Sequence, residues 1–171
     1  MNDSPFPFRL VLVLLSTIVL QVAVASRLRI IGVAPDLPLL VTLAAGIVGG
    51  RDKGAVVGFA AGLLFDLTLS TPLGLAALSY CIAGYVVGAL EASAIRSEWW
   101  LPVAGWLGGS ALGVGLFAVI GALIGEDALF TGDLPYVIGI VAGWNAILGP
   151  LAMWVMRWAE VDRGPLRGVA W

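Results

Sequence analysis

The sequence predicts an all-α integral membrane protein, a bundle of six transmembrane helices with both termini in the cytoplasm. Three observations carry this. The 171 residues are 60% hydrophobic and 12% charged, where a soluble domain has roughly 25% charged and 45–50% apolar residues. Mean hydropathy is +1.03. The apolar residues fall into six runs, and the Lys and Arg residues crowd onto alternate connections between them. Nine Lys plus Arg against eleven Asp plus Glu leave no basic surface for nucleic acid, so no nucleic-acid partner is expected.

A spanning helix needs about 20 mostly apolar residues, because each adds about 1.5 Å against about 30 Å of hydrocarbon. The first span is read over about 10–26, closed by Arg27 and Arg29. Arg9, the apolar run and Ala23-Val24-Ala25 imitate a secretory signal, but an uncleaved first span is the simpler reading. The second, over 33–50, is the shortest: its clean run, Leu37 to Gly50, is 14 residues. It reaches span length only through Pro35, Asp36 and Pro38, and prolines are tolerated there because the first helical turn has no internal hydrogen bond to lose.

Arg51-Asp52-Lys53 is read as a tight antiparallel turn into the third span, 54–69. Ser70, Thr71 and Pro72 separate this from the fourth span, 73–90. The fifth runs over 100–124 and the sixth over 134–156, leaving the chain as one transmembrane domain, 1–171, with no segment for a folded soluble domain. One side of the bundle then holds Arg9, Arg51, Lys53, Arg96, Arg157, Arg163 and Arg167, against Arg27 and Arg29 on the other, which places both termini in the cytoplasm. The acidic Glu126, Asp127 and Asp133 fall on the outer side. Trp99, Trp100, Trp154 and Trp158 fall at inner helix ends, where amphipathic rings favour the interface.

Chemistry is sparse. The chain has no histidine and one cysteine, Cys81, so histidine-dependent catalysis, a disulfide within the chain and a thiolate metal site are all excluded. No catalytic residue, metal or cofactor is expected, and the chain reads as no enzyme. Lipid phosphotransfer would need clustered aspartates, and only Asp66 lies well inside an apolar run. Asp66 is read as a carboxylate bonded to nearby hydroxyls or backbone, or held protonated, in preference to an ion site. Gln21 and Asn145 are the other buried polar side chains, read as interhelical glue, with Gln21 and Asp66 at similar depth and a candidate pair.

The 23 glycines carry the positive signal. Gly54, Gly58 and Gly62 recur every four residues and lead to Asp66, a smooth stripe on one helix face along which another backbone can approach. Gly84 and Gly88 repeat the device on helix four, Gly105, Gly109 and Gly113 on helix five, and Gly139 and Gly143 on helix six. These are candidate positions for helix packing or for docking a partner helix, with helices three and five favoured for docking.

Pro35-Asp36-Leu37, then Gly54, Gly58-Phe59, Gly62-Leu63, Asp66-Leu67, Gly74 and Gly84-Tyr85 resemble the pattern of the rod shape-determining protein MreD family. The resemblance covers about residues 35–90 through the G-F-x-x-G-L-x-x-D core. It implies a multi-pass protein of the bacterial inner membrane that binds the bitopic protein MreC. Through it the chain would link the MreB cytoskeleton to the elongation peptidoglycan synthases that maintain cell shape. It also implies a fold similar to the S components of energy-coupling-factor transporters. That fold makes a solute-binding subunit of a vitamin-type transporter the alternative, against which stands the scarcity of convergent polar groups.

Overall fold

The computed structural model describes residues 8–25, 33–93, 101–125 and 132–160. Among them are six helices: α1 (Phe8–Ala25), α2 (Leu37–Gly49), α3 (Arg51–Asp66), α4 (Leu75–Ser93), α5 (Leu101–Leu123) and α6 (Leu134–Glu160). Arg27, Arg29, Arg96, Trp99, Trp100, Glu126, Asp127, Arg163 and Arg167, used above to orient the chain, lie outside the described residues.

The short α2 is the hub. It touches each of the other five helices, which follow one another around it in the order α1, α3, α4, α5, α6 and back to α1. Leu39, Leu43, Ala44 and Ala45 of α2 are completely buried. The α3–α4 seam is the most extensive in the molecule, and the two seams made by α1 with α3 and α6 are the slightest.

Two helices, over Val103–Leu123 and Leu134–Glu160, are long and apolar enough to cross a membrane. The expected span 33–50 is corrected: α2 has 13 residues, about 20 Å of helix, because Asp36 caps its start and Gly50, at φ +81°, stops it. Only glycine takes that backbone conformation without strain, so the turn between α2 and α3 is this one residue. Arg51, Asp52 and Lys53, read as the turn, form the first turn of α3, where Asp52 meets the positive end of the helix dipole. α3 accordingly starts and stops about one turn earlier than 54–69.

α6 runs to Glu160, a turn beyond the expected 156. The extra turn brings Glu160 to Lys53 of α3, 2.7 Å apart, each side chain about 20% exposed. The Arg9 guanidinium lies 5.2 Å from the centre of the Trp158 ring, a cation–π contact between the start of α1 and the end of α6. Arg9, Arg51, Lys53 and Arg157 therefore gather at one end of the bundle.

Candidate functional site

The candidate positions are a set of glycines and a few buried polar side chains, and the structure shows what each of them faces. Between α3 and α4 the glycines are where backbone meets backbone. A side chain at Gly54 or Gly84 would collide with the main chain of the other, one at Gly58 with the Tyr80 carbonyl, one at Gly62 with Ala76 and Ala77, and one at Gly88 with the main chain of Gly50 and Arg51. Gly46 of α2, absent from the sequence-predicted set, joins the same knot, since a Cβ there would stand 2.7 Å from the Gly84 carbonyl oxygen. The Thr42 methyl fills the notch between Gly58 and Gly84. Its hydroxyl is occupied by donating to Pro38 O at 2.9 Å.

This corrects the reading of α3 as a partner-docking face: α4 already covers the stripe. The favoured alternative, α5, also turns the three expected glycines inward. Gly109 meets Leu43 and Val87, Gly113 meets Leu39, and Gly105 sits at ordinary contact distance from Ile47 and Val87. On α6 the expected pair fails for the opposite reason, since a Cβ at Gly139 or Gly143 would meet nothing within 4 Å. The packing glycine of α6 is Gly149, which admits the face of the buried Trp106 ring, 2.5 Å from where its Cβ would be.

Asp66, 1% exposed, accepts three backbone N–H groups at the start of α4: Gly74 at 2.8 Å, Ala76 at 3.0 Å and Ala77 at 3.2 Å. The loop reaches the carboxylate because Gly74 takes φ +99°, a conformation that side chains disfavour. Leu75 N donates to Pro72 O and Leu78 N to Gly74 O, so every early donor of α4 is satisfied. The carboxyl group lies at the positive end of the α4 dipole. Of the expected alternatives, the backbone is the partner.

Gln21 does not pair with Asp66. Its Nε2 donates to Pro35 O at 3.0 Å and its Oε1 accepts from Leu37 N at 2.9 Å. Asp36 Oδ1 takes Leu39 N at 3.0 Å, and the Asp36 carbonyl takes Leu40 N. Pro38 has no N–H, so the N-terminus of α2 is also fully satisfied. Gln21 and Asp66 thus do the same work on two neighbouring helices, a reason for separation that depth alone could not reveal. Tyr80 donates to Asp36 Oδ2 at 2.5 Å and stacks on Phe65, with ring centres 6.3 Å apart, tying α4, α2 and α3 together.

The remaining buried amide, Asn145, donates from Nδ2 to Ser110 Oγ at 2.8 Å across the α5–α6 seam, both side chains fully buried. Asp36, Tyr80, Ser110 and the Lys53–Glu160 pair were missed from the sequence. The Pro-Asp-Leu-Pro run was the available signal for Asp36, a cap before a proline-started helix. Nothing local marks the others.

Among the described residues no group of three or more His, Cys, Asp or Glu is placed to hold a metal ion. The polar side chains instead cap two helices and pin one seam. A family model, rod shape-determining protein MreD, matches residues 3–158. No curated protein and no solved structure matches the chain, so the expected likeness to S components has no support. The match takes in most of the 171 residues, and the chain belongs to the MreD family, a membrane family of rod shape determination.

Proposed function

We propose that this MreD-family chain is a non-catalytic scaffold of the elongation machinery in the bacterial inner membrane. It holds the single membrane helix of an MreC-like bitopic protein and through it couples the MreB cytoskeleton to the peptidoglycan synthases. All six helices lie within the bilayer, surrounded by membrane lipid, with both termini cytoplasmic. The observation that carries this reading is the family match over residues 3–158. The geometry supports it: Asp66, Asp36 and Gln21 are spent on helix N-termini, so the chemistry that a carrier pocket or an active site would need is committed to structure.

Because α4 covers the α3 stripe, the partner helix must meet an outer face. Gly108 and Gly115 of α5 and Gly139 and Gly143 of α6 have open space beside them, and membrane helices associate by close packing at small residues. The test is affinity purification of the tagged chain in mild detergent, with identification of the chains that accompany it. A bitopic partner, together with rods turning to spheres on depletion, is the expected result. Saturable binding of a vitamin-sized solute by the isolated chain, with no protein partner, would overturn it. Gly143→Leu should weaken retention of the partner while leaving the purified chain folded.

A further inference from the structure

Beside the slight α1–α6 seam, helices α1, α2 and α6 line an open cleft of about 390 Å³. Leu20 of α1, Leu37 and Leu40 of α2, and Leu148 and Leu151 of α6 line it, and Leu20 and Leu151 at its lip are more than half exposed. We propose that this cleft is a binding site for one hydrocarbon chain, acyl or isoprenoid, of a membrane lipid.

Three features select that occupant. The first is chemistry. The hydroxyls in the wall, Ser16 and Thr17, donate to Leu12 O and Val13 O of their own helix at 2.7 Å each, so they offer a solute no free donor. The one uncommitted donor is the buried indole Nε1 of Trp144. A large apolar cavity does not hold water, and a hydrophilic solute or lipid headgroup would lose hydrogen bonds on entering.

The second is size. The wall on α6 extends from Trp144 to Val155, about 16 Å of helix. The 390 Å³ spread along that length makes a long, narrow cleft. One extended hydrocarbon chain fits along it.

The third is access. The lip opens sideways between two apolar helices, α1 and α6, toward the space that lipid tails fill in a bilayer. Lipid tails are the apolar species at hand there. This inference rests on the membrane placement and not on the partner protein, so either can fail alone.

The test uses the full chain in vesicles of phosphatidylethanolamine and phosphatidylglycerol whose acyl chains are brominated near their middle. Bromine quenches tryptophan emission at short range. The Trp144 signal is the difference between wild type and Trp144→Phe, and Trp154, 67% exposed on the same helix, serves as the lipid-facing control through Trp154→Phe. Trp144 is expected to be quenched, and Ala152→Phe, which fills the cleft, is expected to relieve quenching at Trp144 while leaving that at Trp154 unchanged. Val41→Phe fills the cleft from α2 and provides the same readout if Ala152→Phe fails to fold.

Absence of Trp144 quenching, or quenching that neither filling variant relieves, overturns the proposal. So does Trp144 quenching that rises as the protein is diluted in lipid, which would mean that a second protein chain had filled the cleft. Mass spectrometry of the chain purified in mild detergent should show one retained lipid, lost in the filling variant, and its mass distinguishes an acyl from an isoprenoid tail.

Discussion

The α3–α4 seam and the α1–α6 seam join helices in opposite ways. In the bilayer placement proposed above, lipid is as apolar as leucine, so neither seam would be driven together by a hydrophobic effect, leaving contact and hydrogen bonding. At α3–α4, removing side chains at Gly54, Gly58, Gly62, Gly84 and Gly88 brings the backbones into contact along the whole length. At α1–α6 large side chains hold the helices apart, the Arg9–Trp158 contact ties one end, and a cavity occupies the middle. Close association in this molecule follows from what glycine omits, and open space follows where leucine and valine stand instead.

The sharpest break in the comparison is Gly84→Leu. Its side chain would have to displace the Gly54 main chain and the Thr42 methyl. Overpacking typically costs about 1–3 kcal/mol and more against backbone, so size-exclusion chromatography should find little or no monodisperse protein. Next is Asp66→Ala, which strands three backbone donors at about 1–3 kcal/mol for a buried unsatisfied group. A shift of several kcal/mol in denaturant unfolding is expected. Asp66→Asn, which keeps one acceptor oxygen, should fall between this and wild type.

Asn145→Ala removes the bond to Ser110, and interhelical bonds of this kind average about 0.6 kcal/mol and reach about 1.7 kcal/mol. The unfolding midpoint should move by a correspondingly modest amount. Lys53→Met breaks a part-exposed ion pair worth about 0–1 kcal/mol, and the difference from wild type should shrink as salt is raised. Gly143→Ala, in open space, should change stability by no more than about 0.5 kcal/mol. A large effect from it in the isolated chain would mean that glycine spacing and glycine environment are the same thing, against the contrast drawn above.

The sequence carried the helices and the residues of the tight seam, because a period of four is a local property that survives without coordinates. Gly54, Gly58, Gly62, Gly84 and Gly88 were all visible in this way. The identity of the opposing surface was not, since Gly139 and Gly143 have the same spacing as Gly58 and Gly62 and face nothing. Asp66 was visible as an acid in an apolar run, but its partners are main-chain amides eight to eleven residues ahead, which carry no side-chain signature. Lys53 and Glu160 lie 107 positions apart and could be joined only by coordinates.

The brevity of α2 bears on how the chain is made. Thirteen residues fall short of the roughly 17 that a segment needs to partition into the membrane by itself. The segment that follows opens on Arg51, Asp52 and Lys53 and closes on Asp66, ionisable side chains that weigh against insertion. In the membrane placement proposed above, α2 and α3, joined by the single residue Gly50, would enter as a hairpin, and Asp66 meets its partners only once Gly74, Ala76 and Ala77 have been made. On that reading assembly of the hub waits for α4, and a chain truncated before α4 should be degraded rather than retained in the membrane.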